Sequence, residues 1–192
     1  MQISAVFKIT QAGEISRLAG SLESMSGHRD GVGDDALFHS PQGLTLDAEG
    51  NLYMLDGIDI FYADLAGPAV RKITPTGEVT TLAGNINEKP GLLDGKANEA
   101  QFNFDYGNYK GEKSAYIAVD SNKNVYVTDP RNSVIRKITP AGDVSTLVGI
   151  AGVRGFAGED LPGVINRPSG MAIHQDVLYF SMENSVAKIK LQ

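Results

Sequence analysis

The chain contains no cysteine, only three histidines, and no run approaching eighteen apolar residues. Without cysteine there is no disulfide framework and no thiolate metal site, and the redox compartment is left open. His28, His39 and His174 share no metal-ligand spacing. There is no H-E-x-x-H, no EF-hand loop, no P-loop and no G-x-S-x-G, so neither a metal nor a cofactor is implied. Clustered basic residues are missing too. The net charge is -6, the isoelectric point is about 5.0, and lysines and arginines stand singly or in pairs. Nucleic-acid binding, which needs a concentrated basic face against phosphates, is not expected. No segment is long and apolar enough to insert in a membrane as a helix. The opening residues, "MQISAVFKIT", lack the basic, apolar and small-residue order of a signal peptide. Apolar spacing of three to four residues never persists beyond two turns, so few helices are expected.

What the 192 residues do contain is a repeat, and their 42% apolar content is ordinary for a globular core. "VRKITPTGEVTTLAG" (70–84) is nearly copied by "IRKITPAGDVSTLVG" (135–149) and more loosely by "VFKITQAGEISRLAG" (6–20). Aligning Lys8, Lys72, Lys137 and Lys188 gives, by subtraction of residue numbers, spacings of 64, 65 and 51 residues. Two further pieces precede these segments: "GLTLD" with "NLYMLD", "YIAVD" with "NVYVTD", "GMAIH" with "VLYFS". Short runs rich in Val, Ile, Leu and Tyr, bounded by Gly, Asn, Asp and Pro, read as strands. "DAEGN" and "DSNKN" supply Asx turns, while "TPTGE" and "TPAGD" place proline second and glycine late in a tight turn. Each unit is therefore a four-stranded antiparallel meander. A series of such meanders predicts an all-β chain and a β-propeller, with the first strand of each unit nearest the axis and buried on both faces.

The order P-x-G-L-T-L-D, G-N-L-Y-M-L-D, V-R-K-I, V-T-T-L-A-G resembles the NHL-repeat β-propellers of bacteria, over nearly the whole chain. The Asn-His-Leu triplet that names that family is Asn132-Ser133-Val134 in one unit and Asn184-Ser185-Val186 in another. The unit after Asp56 replaces it with "GIDIFYADLAGPA". The expected organisation is a single partial propeller of about three blades. Residues 1–20 are outer strands of a first blade, 41–84 and 114–149 are full blades, and 168–192 is a last blade lacking its outer strand. The strand count, two, four, four and three, predicts the carboxyl-terminal half of a ring of about six blades. The other reading is a homodimer in which two chains close one ring. Either way Val6 to Thr10 is an unpaired edge beside exposed apolar area.

Functional residues are less legible. "DGVGDDALF" (30–38) matches G-x-G-x-x-A formally, but it neither follows a strand nor opens a helix. Its shared core with "DGKANEAQF" (94–102) is D-G-x(4)-A-x-F, read as a connector whose Asp fixes a turn and whose Phe fills a gap between blades. Asp47, Asp56, Asp120 and Asp129 recur at equivalent strand ends and read as turn formers. The loop "NFDYGNYKGEKSAY" (103–116) departs from the repeat and should lie near the axial mouth. Tyr106, Tyr109, Lys110 and Lys113 there combine aromatic faces with donors suited to sugars or acidic ligands. Gln42, Ser114 and Ser169, just before inner strands, are further ligand-binding candidates. "DGIDIFYADLAGP" (56–68) is too apolar for a free loop and is expected to cover a blade edge.

The leading expectation is a noncatalytic binding scaffold for a protein or carbohydrate ligand. A secreted, periplasmic or cell-surface location is what the resemblance implies. The alternative is a hydrolase or lyase resembling six-bladed lactonase-type propellers, its axial site completed by a missing half or a second chain. Gln42, Ser114 and Ser169 are not the carboxylate and amide set an axial divalent cation wants.

Overall fold

A computed structural model describes residues 4–23, 25–57, 67–104, 115–155, 157 and 163–191. Among these the chain is all β, apart from one 3-10 turn at Gly33–Asp35. It is a β-propeller with about three blades present. A two-stranded sheet comes first, β1 (Ser4–Ile9) and β2 (Ile15–Ser21). The next sheet has β4 (Pro41–Leu46), β5 (Leu52–Asp56), β6 (Ala69–Ile73) and β7 (Glu78–Ala83), with the two-residue β3 (Gly31–Val32) added outside β7. A four-stranded meander follows: β8 (Ile117–Val119), β9 (Val125–Asp129), β10 (Val134–Ile138) and β11 (Val144–Val148). The last sheet has three strands, β12 (Pro168–His174), β13 (Val177–Met182) and β14 (Ser185–Lys190). All the pairings are antiparallel. The strand β3 is not foreseen by the repeat; it is the connector's own backbone pairing with the outer edge.

Local chemistry fixes each turn. Asp47 Oδ1 accepts from the backbone N–H of Glu49 and Asn51, and Asp120 Oδ1 from Asn122 and Asn124. In the outer hairpins the Thr74 and Thr139 hydroxyls accept from the N–H of Glu78 and Asp143. The glycine that closes each repeat has a steric reason. Gly84 has φ +121, and a Cβ there would lie 2.6 Å from the Pro68 carbonyl oxygen, closer than any side chain tolerates.

Burial corrects one expectation. Of the inner strands β4, β8 and β12, only β8 is mostly buried, because blades flank it on both sides and it lies alongside both β4 and β12. Strand β4 has a four-stranded neighbour on one side and only β1–β2 on the other. Leu44 and Leu46 are therefore exposed, whereas their equivalents are buried at Ile117 and half-buried at Val119.

Between blades the core is continuous. Tyr53, Leu55 and Val70 pack with Ile117, Val125 and Val127, and Tyr126 and Ile135 with Leu178, Phe180 and Met182. Phe38 sits among Val6, Ala19, Met54, Ile73 and Val79 and fills the gap between the first two sheets; Phe102 does the same in the next gap.

Candidate functional site

The recurring aspartates are committed to the scaffold. Asp47 also accepts from the Asn51 amide and the Tyr53 hydroxyl, and Asp120 from Asn124 and Tyr126. Burial works to raise the Asp47 carboxyl, but the hydrogen bonds from Asn51, Tyr53 and Glu49 together hold it below the ordinary value. Burial pushes the Tyr53 phenol up to about 12, helped by Asp47, and moves Tyr126 up likewise.

Asp56 and Asp129 do something other than make turns. Each receives backbone N–H groups from the preceding connector, His39 and Ser40 on Asp56 and Asn103 on Asp129. Each also faces a fully buried arginine. Arg71 donates to Asp56 (2.8 Å), to the Leu37 and Arg29 carbonyls, and to Asp30 (2.8 Å). Arg136 repeats the pattern on Asp129 (3.4 Å), Gln101, Leu93 and Asp94 (2.7 Å). The connector aspartates thus do not fix a turn. Asp30 also takes the N–H and hydroxyl of Thr81, and Asp94 those of Thr146, so each ties its connector to the third and fourth strands of the following blade. Phe38 and Phe102 lie beneath the guanidinium groups at 5.3 and 5.1 Å. Burial pushes the Asp129 carboxyl up to about 6, against the pull of Asn132, Arg136 and Asn103.

Residue Asn132 explains the asparagine of the repeat triplet, because its amide donates to Asp129 and to the Gly91 carbonyl. Where the triplet is lost, His28 stands instead: its Nδ1 lies 3.1 Å from Asp56 Oδ2, though outside hydrogen-bond geometry, and its ring stacks on His39 at 5.7 Å. In the last blade Met182 and Ala187 occupy the places of Asp129 and Arg136, and no such ionic cluster forms.

Of the sequence candidates, Tyr106, Tyr109, Lys110, Lys113 and Ser114 lie outside the described residues, as do residues 58–66 of the apolar insertion 56–68. Gln42 and Ser169 are described. Both precede a glycine of positive φ, Gly43 and Gly170, and both stand at a register shift that starts an inner strand. The Ser169 hydroxyl is spent on Ser181, 3.1 Å away. Gln42 lines an apolar cavity of about 230 Å³ with Ala5, Val6, Phe7, Leu44 and Met54.

That cavity meets a second one of about 420 Å³, and Phe7 lines both. The larger is walled by Phe7, Leu18, Leu46, Leu52 and Pro75, with Lys8 and Glu49 at its polar rim. Together they form a groove along the free edge of β1, which pairs only with β2. Phe7 (45%), Leu44 (60%) and Leu46 (56%) are exposed there. Sequence reasoning anticipated the open edge but not the groove, because its floor comes from β4 and its wall from β1, some forty residues apart. Among the described residues no group of three or more His, Cys, Asp or Glu could hold a metal ion. No described helix is long and apolar enough to cross a membrane.

No protein-family model matches the chain. It is 32% identical over 113 residues to Protein SUPPRESSOR OF QUENCHING 1, chloroplastic, of Arabidopsis thaliana, a match covering 58% of this chain and 9% of that protein. Among solved structures, a protein of unknown function from Bacteroides thetaiotaomicron superposes with a TM-score of 0.65 at 22% identity, over 96% of this chain and 42% of the other. An auxiliary nutrient binding protein from the same organism gives 0.58 at 15% identity, over 93% and 40%. Virginiamycin B lyase from Staphylococcus aureus gives 0.50 at 18% identity, over 98% and 46%. The chain thus spans under half the length of each of these proteins, and at such identities the likeness to the solved structures is one of fold: an all-β propeller of antiparallel blades.

Proposed function

We propose that this chain is a noncatalytic interaction scaffold of NHL-repeat type, part of a single propeller of about six blades, whose binding surface is the groove beside β1. The observation that carries the reading is the groove itself: an unpaired strand edge above a floor of exposed leucines. A free edge supplies backbone donors and acceptors in register, and an apolar floor supplies side-chain pockets, which together accept an extended segment by strand addition. The interior of the fold supplies the analogy. Where the same floor recurs at Ile117, it is covered by Tyr53 and Leu55 of β5, alternate residues of one strand. The ligand class favoured is therefore a protein segment with large apolar residues at every second position.

The recurring carboxylates support a scaffold over an enzyme, since each is engaged by backbone N–H and by an arginine, tyrosine or asparagine side chain as well. Measurable turnover of a lactone or a lyase substrate by the complete ring, abolished at Gln42 or Ser169, would overturn that preference. The loop carrying Tyr106, Tyr109, Lys110, Lys113 and Ser114 is kept as a second contact region, for a protein or carbohydrate, and an extracytoplasmic location is kept from the family resemblance.

The test is fluorescence anisotropy of a labelled nine-residue peptide with the sequence of residues 49–57, which contains β5. Saturable binding that disappears in Leu46→Lys, with the far-ultraviolet spectrum unchanged, is the expected result. No binding by a monomeric form of the chain, whose groove is open, would remove the groove as a strand-accepting site.

A further inference from the structure

Both ends of the blade series are open, and their open surfaces correspond. At the first end, Leu44 and Leu46 of β4 are exposed, and β1 lacks the inner strands that β6 and β10 possess. At the other end, Tyr179 of β13 and Val186 of β14 are exposed at 38% and 75%. Strand register identifies these two. Tyr179 pairs with Lys188 as Tyr126 pairs with Lys137 and Tyr53 with Lys72, and Val186 stands where β10 has Ile135. Tyr126 and Ile135 are fully buried because another blade covers them; Tyr179 and Val186 have no blade in front. The floor that lacks a cover and the tyrosine that lacks a floor are the two halves of the Tyr53–Ile117 type of contact.

The sheets themselves are complementary. Among the described residues the last one has first, second and third strands without a fourth, and the first one third and fourth strands without a first or second. One strand is duplicated. Val6-Phe7-Lys8-Ile9 of β1 and Val186-Ala187-Lys188-Ile189 of β14 are the same segment of the repeat, yet β1 is followed by an outer partner and β14 is not. Strand β14 is also poorly buried, with no residue of it in the buried class.

We propose that the occupant of the groove is the β12–β13 hairpin of a second copy of this chain, with β1 taking the place of that copy's β14 as third strand. This rests on the reading of the groove as a strand-accepting surface and supplies its partner. In β14's register, Lys8 lies opposite Tyr179 and Phe7 opposite Phe180, as Lys72 and Arg71 lie opposite Tyr53 and Met54. Each seam then holds β12 and β13 from one copy and β1 and β2 from its partner, a complete four-stranded blade. Two seams and two full blades per copy make a closed ring of six, with the two-fold axis coincident with the ring's central axis. Exchange of equivalent strands keeps the backbone ladder on β13 while covering Leu44, Leu46 and Tyr179, and it removes the free edge of β1.

The natural absence of cysteine makes the test clean. Val6→Cys with Ser181→Cys places thiols opposite one another across the seam but on different copies. Ser181→Cys with Val186→Cys places them opposite one another within one chain, locking β14 onto β13. Expected results are a parent mass near twice 20.5 kDa by light scattering, an interchain disulfide in the first variant, and a monomer under oxidising conditions in the second that dimerises again on reduction. A parent chain that stays monomeric, a dimer that survives locking of β14, or a dimer in which the first pair fails to cross-link would each overturn the second-copy occupant. Peptide binding by a monomeric parent would leave the groove reading standing while removing this partner, so the two failures are distinguishable.

Discussion

Replacing Arg136 with alanine is the perturbation that should injure this fold most for one side chain. The guanidinium is fully buried and donates to two carbonyls and two carboxylates, those of Gln101, Leu93, Asp94 and Asp129. Asp94 is half exposed, so water can replace its donor. Asp129 is completely buried and cannot be compensated that way. Removing one member of such a buried pair costs about 3–5 kcal/mol, which is a large share of the ~5–15 kcal/mol that holds an ordinary domain folded. The last blade shows the remedy, with Met182 and Ala187 at the same two places. Accordingly the double variant Asp129→Met, Arg136→Ala should be more stable than Arg136→Ala alone, because it leaves no uncompensated charge. The assay is urea unfolding followed by far-ultraviolet circular dichroism, with the midpoints compared at constant slope. A loss under about 1 kcal/mol for the single variant, or a double variant worse than the single, would refute the view that the buried charge governs this site.

Asp129 also predicts a pH dependence of definite sign. A buried carboxyl raised to about 6 binds its proton more tightly folded than unfolded, so its contribution to stability is fully present below about 4 and is lost as pH rises towards 6. Measured against Asp129→Asn, the parent should therefore weaken over that window and run parallel above it; the opposite slope would mean that Arg136 and Asn132 outweigh burial. Gly84→Ala should cost well over the ~1–2 kcal/mol that a left-handed φ alone costs, because its Cβ also meets the Pro68 carbonyl, whereas at Gly13→Ala, with nothing within 4 Å, only the φ cost remains; equal midpoint shifts in urea would contradict the steric account. Spectrophotometric titration should show one tyrosine ionising at about 12 that Tyr53→Phe removes; no such transition would show that burial and Asp47 do not hold the Tyr53 phenol.

Much of the architecture could be read from neighbouring residues. The Asx turns at Asp47 and Asp120, the alternation in "NLYMLD" and "NVYVTD", and the closing glycine of each repeat depend on contacts within a few positions. Local hydrogen bonds and φ preferences write such features directly into the order of residue types. The arginine of "RKI" was also visible as a repeat position, replaced by Phe7 and Ala187 at the two ends, but nothing local marks it as buried. Three of its four acceptors lie 35 to 43 residues away in the chain, on a connector whose aspartate looked like a turn former. His28 is harder still, since it stands beside Asp56 only because another blade's asparagine has no counterpart there.

Residue order alone dictates most of the strands, their hairpins and their four-strand grouping, and hence the propeller, because each repeat carries its own short-range instructions. Which of those strands are buried depends instead on how the blades stack. Leu44 and Ile117 are equivalent residues in equivalent strands, one exposed and one buried. What separates them is the presence or absence of a blade packed in front, a contact between segments far apart in the chain that no local pattern records.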